Sequence, residues 1–175
     1  NLHHEDWNYP YYDNEEAACE RMRIMWSQIA ERFKDYDEHL IFEAQNEPRK
    51  VGTAQEWTGG DQEGWDVVNA TNAAFIDTIR NAGGSNPYRM LMIPGYGANS
   101  TVGIQHMDIP EGDNRIIVSV HAYSPYNFAL NKSGTSEWNN DTYDIDKLMS
   151  DLKSLFIDKG VPAIIGEFGA MNKDN

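Results

Sequence analysis

The feature that most constrains this chain is an alternation: short apolar runs of strand length recur between longer stretches whose apolar residues return every three or four positions. Leu2-His3-His4 reads as the tail of a first strand. Ala18, Met22, Met25, Trp26, Ile29 and Phe33 mark one face of a helix over 15–36, with Asp13 and Glu16 at capping-box spacing near its start. Residues 39–46 form a second strand, which Pro48 ends by pushing the residue before it out of helical backbone geometry. Trp65, Val68, Phe75, Ile76 and Ile79 line a second helix over 64–82, and Gly83-Gly84 supplies a left-handed stop. Further strands are expected at 89–93, at the β-branched run 115–120 and at 161–165. Between the last two, Ile145, Leu148, Met149, Leu152, Leu155 and Phe156 form a third helix face, which Gly160 caps.

Buried strands alternating with helices mean a parallel sheet covered by helices. Two architectures fit: a doubly wound open sheet, or an arc of a (β/α) barrel. Dinucleotide binding has little support, because no G-x-G-x-x-G follows the first strand. A chain of 175 residues that opens on a strand tail and stops just past a strand is expected to be an internal piece, residues 1–175, of a single longer domain.

Charge removes other classes of function. With 28 acidic against 14 basic residues the net charge is −14, which repels phosphate backbones and anionic lipid surfaces, so no nucleic-acid or membrane partner is expected. A lone cysteine, Cys19, excludes an internal disulfide and zinc-finger spacing.

Polar residues gather where the strands end: His3-His4-Glu5, Asn46-Glu47-Pro48, Pro94-Gly95-Tyr96, His121-Ala122-Tyr123 and Gly166-Glu167-Phe168-Gly169. In a parallel α/β fold these ends share one mouth, the place where barrel enzymes assemble their sites. Glu47 and Glu167 occupy equivalent positions just beyond apolar runs. Two carboxyls facing across a cleft suit glycosidic cleavage, one donating a proton to the leaving oxygen while the other acts at the anomeric carbon.

The runs Leu2-His3-His4-Glu5, Leu40-Ile-Phe-Glu-Ala-Gln-Asn-Glu-Pro48, His121-Ala-Tyr123 and Ile165-Gly-Glu-Phe-Gly169 resemble glycoside hydrolase family 5, the clan A cellulase family. Their order resembles strands three to seven of its (β/α)8 TIM barrel over essentially the whole chain. The fold implied is therefore a partial barrel truncated at both ends, lacking the first two strands and the eighth. Asn-Glu-Pro-Arg49, Val51-Gly-Thr53 and Glu56-Trp57 resemble the branch rich in endo-glucanases and xyloglucanases. The resemblance implies a retaining endo-β-1,4-glucanase, with Glu47 as general acid/base and Glu167 as nucleophile. It also implies that Asn46 holds the sugar 2-hydroxyl, that Tyr123 donates to Glu167, and that His3, His4, His121, Tyr123 and Trp138 contact substrate. A xyloglucanase, lichenase or mannanase is the alternative within the class, and a non-catalytic carbohydrate-binding barrel the alternative outside it.

Other expectations follow. His3, His4, Glu5 and Asp6 are possible metal ligands, but adjacent strand residues face opposite ways, so no metal or other cofactor is expected. Trp26 and Trp65 are expected in the core, while Trp7, Trp57 and Tyr96, in loops after strands, are candidates to stack on a pyranose. A polymeric β-glucan partner implies a secreted or cell-surface protein, monomeric at full length. The 175-residue piece by itself is expected to be poorly stable and inactive.

Overall fold

The computed structural model describes residues 2–3 and 5–173. Helix α1 (Tyr12–Phe33) precedes β1 (Phe42–Glu43), α2 (Gln62–Arg80) and β2 (Leu91–Asn99); then come β3 (Ile116–His121), the short α3 (Tyr126–Ala129), α4 (Tyr143–Leu155) and β4 (Ala163–Glu167). The four strands form one sheet in the order β1-β2-β3-β4, and every neighbouring pair is parallel.

The register decides between the two architectures. Phe42 lies opposite Leu91, Leu91 opposite Ile116, Ile93 opposite Val118, and Val118 opposite Ala163, so these side chains share one face. That face is where the helices pack: Met22, Trp26, Phe75 and Ile79 of α1 and α2 join Phe42, Leu91 and Ile93, while Leu148 and Leu152 of α4 join Val118 and Val120. Adjacent strand residues point to opposite faces, so Glu43, Met92 and Ser119 lie on the other side, where Ser119 Oγ donates to Glu43 Oε1 at 2.7 Å. A doubly wound sheet would carry apolar side chains and helices on both faces. Helices outside and polar groups inside make this an arc of a barrel.

Elements differ from expectation where tertiary contacts override local signals. Among the described residues, 2–5 form no strand. Asn46 N–H does donate to the Leu2 carbonyl at 2.7 Å, but the chain turns at once: Glu5 N–H is taken by Asn8 Oδ1 at 2.9 Å as residues 6–8 enter a 3-10 turn, leaving no length for a ladder. The Asp13–Glu16 capping box is also absent, because α1 starts earlier, at Tyr12, whose N–H is capped by Glu63 Oε1 from α2 at 2.9 Å. Strand β2 runs through Pro94-Gly95-Tyr96-Gly97 instead of ending before it. Gly60 and Gly64 explain why: a Cβ at either would lie 2.7 Å from the Tyr96 ring, so two bare backbones let that ring sink in beside α2.

Two buried cations tie loops to this frame. Arg89, 1% exposed, donates to the carbonyls of Phe33, Tyr36, Asp37 and Leu40 at 2.7–3.1 Å and so closes the last turn of α1. Lys50 ties the loop after β1 to the start of α2, its ammonium donating to Asp61 at 2.7 and 2.9 Å and to Glu63 at 2.6 Å.

Candidate active site

Four side chains from three strand ends meet at the carboxyl edge of the sheet. Glu47 follows β1, His121 ends β3, Tyr123 lies two residues on, and Glu167 ends β4. His121 is 8% exposed and stands between the carboxyls, its Nδ1 2.7 Å from Glu47 Oε1 and 3.4 Å from Glu167 Oε2. One oxygen of each carboxyl and a ring nitrogen of His121 all lie within 4.8 Å of one another. An oxygen of one carboxyl therefore comes nearer to an oxygen of the other than the ~6.5–9.5 Å that leaves room for a water between an inverting pair.

The two carboxyls have different surroundings. Tyr123 OH donates to Glu167 Oε2 at 2.9 Å, and this bond, with burial and the nearby carboxylate charges, pushes the phenol above its ordinary range. A phenol held protonated against Glu167 stabilises negative charge there. Glu47 is approached by Arg49, whose guanidinium lies 3.6 Å from Glu47 Oε2 and donates to the Glu47 backbone carbonyl at 3.1 Å. Gly166 is required at the bottom of the site: a Cβ there would fall 2.9 Å from Ser119 Oγ and 3.5 Å from the His121 ring.

These groups line an open cleft of about 680 Å³, together with Trp57, Tyr126 and residues 99–101. A hollow of about 350 Å³ adjoins it, lined by Phe128, Trp138 and Asp141, with Tyr126 belonging to both.

The structure thus brings Glu47, His121, Tyr123 and Glu167 together, and sets Trp138 in the adjoining hollow, edge-on to Phe128 at 5.3 Å. Asn46 is half-buried beside Glu47, His3 is exposed, and His4 lies outside the described residues. Tyr96 is a correction: at 1% exposure inside β2, with its hydroxyl accepting Lys50 N–H at 2.8 Å, it has no face left for a sugar. Trp26 is in the core as expected, but Trp65 is only half-buried, stacked on His106 at 3.3 Å with its indole N–H on the Gly59 carbonyl. Trp7 packs against the core under the Arg21 guanidinium. Sequence reasoning left two neighbours of the site without a role: Tyr126, which lines both the cleft and the hollow, and Arg49, which lies against Glu47. Arg49 carried a signal in standing directly behind the Asn-Glu-Pro step.

Glu47, His121 and Glu167 are also the described residues whose donor set could hold a metal ion. His121 Nδ1 already has a partner within the trio, Glu47 Oε1 at hydrogen-bond distance.

Known proteins share this chain's sequence pattern and fold. The family model for cellulase (glycosyl hydrolase family 5) matches residues 1–175. Endoglucanase B of Neocallimastix patriciarum is 53% identical over 178 residues, covering all of this chain and 37% of that protein. Among solved structures, a GH5-4 broad-specificity endoglucanase from Ruminococcus champanellensis with bound cellotriose aligns with a TM-score of 0.93 at 45% identity, covering 100% of this chain and 52% of its own. A xyloglucan-specific endo-β-1,4-glucanase from a metagenomic library, in complex with cellotriose, aligns with a TM-score of 0.93 at 43% identity over 99% of this chain and 52% of its own. The chain therefore spans about half or less of the length of these relatives. With the model matched from end to end and the paired carboxyls at the sheet's carboxyl edge, the chain belongs to the cellulases of glycosyl hydrolase family 5.

Proposed function

We propose that this chain carries the reacting carboxyls of a retaining endo-β-1,4-glucanase. The carrying observation is the approach of Glu47 and Glu167 to within 4.8 Å around His121, with Tyr123 hydrogen-bonded to Glu167 alone. Glu167, its charge supported by the phenol, attacks the anomeric carbon to form a glycosyl ester as the glycosidic C–O bond breaks. Glu47 supplies the proton to the leaving oxygen, then takes one from the water that hydrolyses the ester, which restores both groups. His121 holds the two carboxyls in register, and Asn46, His3, His4 and Trp138 contribute sugar contacts.

Two observations favour an internal cut in a β-glucan: the cleft continues past Tyr126 into the hollow at Trp138, and two similar structures hold cellotriose. Xyloglucan is the second candidate substrate, because one of those similar proteins is specific for it. We propose that the full-length enzyme works outside the cell as a secreted or surface-held monomer; the size of the polymer supports the location.

In the full-length protein, Glu47→Gln and Glu167→Gln are each expected to lower turnover on a soluble β-glucan by about a hundredfold to ten-thousandfold. The first-formed product should retain the β-anomer when followed by proton NMR. Normal turnover in either variant, or an inverted product, would reject the assignment. Activity lost on EDTA treatment and restored by a divalent ion would favour a metal at the same trio instead.

A further inference from the structure

Helix α3 is four residues long, too short for its carbonyls to find partners within it, and the loop that follows, 130–142, is exposed at nearly every position. All four carbonyls are nevertheless satisfied. The Tyr126 carbonyl accepts the N–H groups of Leu130 and Asn131 at 3.0 and 2.9 Å. The other three are served by the segment that follows β4: Met171 N–H donates to the Ala129 carbonyl at 2.9 Å, and the Lys173 ammonium donates to the carbonyls of Asn127 and Phe128, each at 2.8 Å. The third proton of that ammonium goes to the Thr135 carbonyl, also at 2.8 Å, in the loop itself. Lys173 is half-buried at the end of a run, 168–172, that is exposed throughout. Gly134 completes the clamp, because the Asn127 carbonyl leaves no room for a Cβ there and the loop folds back flat on α3. This helix and loop build the hollow beside the cleft: Tyr126 opens into both, while Phe128 and Trp138 line the hollow edge to face.

We infer that Lys173 is a positioning residue: by joining α3 to the loop after it, its ammonium fixes the hollow at Trp138 as the place where a long β-glucan is held beyond the reacting carboxyls. Water can replace the ammonium at each of the three carbonyls, but separate waters do not tie Thr135 to Asn127 and Phe128, so without Lys173 the loop loosens and the Trp138 ring loses its fixed place. The reacting groups do not depend on this clamp. His121 and Glu167 lie opposite each other in the β3–β4 ladder, the Glu167 carbonyl accepts Ala122 N–H at 2.8 Å, and the bonds among Glu47, His121, Tyr123 and Glu167 involve no residue of 126–138. Lys173 therefore acts on the binding of long chains and not on bond cleavage. This inference rests on the sugar contact of Trp138 proposed above.

The test uses the full-length protein and two substrates: cellohexaose, long enough to reach past the cleft, and 2,4-dinitrophenyl β-cellobioside, which has only two sugars to hold. The quantity read is the ratio of kcat/KM on the first to that on the second. Trp138→Ala should lower this ratio about fivefold. Lys173→Met should lower it by a similar factor, through a higher KM on cellohexaose with kcat nearly unchanged. Lys173→Arg, which keeps a charged donor of different shape, should recover part of the loss. Gly134→Ala lifts the loop off α3 while leaving the lysine in place; it should lower the ratio as well, and it serves where Lys173→Met does not fold. If Trp138→Ala leaves the ratio intact, the sugar contact of Trp138 fails and this inference with it. If Trp138→Ala lowers the ratio while the Lys173 and Gly134 variants leave it unchanged, whether by sparing both substrates or by weakening both equally, the contact stands and the positioning role is overturned.

Discussion

Single residues here act through how completely their polar atoms are committed. Arg89 spends its guanidinium on four backbone carbonyls and Asn86 Oδ1, all around the end of α1. Arg89→Met would fill similar volume but strip those carbonyls of their donor, and each buried orphan costs about 1–3 kcal/mol. A loss of about 3 kcal/mol or more is expected, seen in urea titration of the full-length protein as a lower midpoint with an unchanged slope. Arg89 also shows what the sequence conceals. Glu47 and Glu167 are legible because each stands just outside an apolar run, a position where a carboxyl has no structural task. Arg89 stands at the edge of such a run too, yet its side chain reaches back to residues 33–40, which no local pattern encodes. Tyr96 misleads for the opposite reason: flanking glycines imitate an exposed turn, while in the fold it is the missing Cβ atoms of Gly60 and Gly64 that admit its ring.

At the scale of elements, the loop between β1 and α2 behaves as a built part and not as a connector. Lys50 is almost wholly buried between Asp61 and Glu63. Burial works against its charge, but the two carboxylates outweigh this and hold its pKa above the ordinary range. Burial likewise opposes ionisation of Asp61, yet its bonds from Lys50 and the Gly64 N–H keep its pKa low; Glu63 is lowered first by Lys50 and then by the Tyr12 N–H. The sign follows: carboxyls whose pKa falls on folding stabilise the fold fully above their ordinary values of 3.8 and 4.5, and the gain is lost as the pH drops through the lower folded values. Acidification from about pH 6 to about pH 3 should therefore lower the Tm, and Lys50→Met should make that decline shallower. An equally steep decline in the variant would show that the clamp contributes nothing. The helices themselves were readable, since α1 and α2 keep an apolar stripe at the helical period. The extent of β2 and the loss of a strand at 2–5 were not, because Pro94 and the Glu5–Asn8 turn act through partners distant in sequence or through a single competing hydrogen bond.

For the whole molecule, the decisive fact is that the sheet has two ends. β3 is buried at all six positions, whereas β4 alternates, with Ile164 39% exposed on the inner face and Phe168 77% exposed just beyond. Among the described residues β1 and β4 each pair on one side only. An eight-stranded barrel has no such edges, and the relatives are about twice this length or longer. Residues 1–175 expressed alone should bind a hydrophobic dye, tend to associate, and release no reducing sugar from a soluble glucan. Robust hydrolysis by that piece would show that half a barrel suffices. The alternation of strands and helices made the barrel arc legible from sequence, but only the register, which puts every helix on one face, separated it from an open doubly wound sheet.

The five tryptophans divide the molecule optically. Trp26 is 2% exposed between α1 and the sheet, so its emission is shielded from solvent and follows the packing of the core. Trp57 at 60% and Trp138 at 37% face the cleft and its adjoining hollow, where a soluble quencher can reach them and a bound glucan would shut it out. Because the Arg49 cation already covers one side of Trp57, whatever changes that fluorophore's surroundings must arrive from the other side. The chain thus carries a built-in gauge of cleft occupancy alongside a separate one for folding.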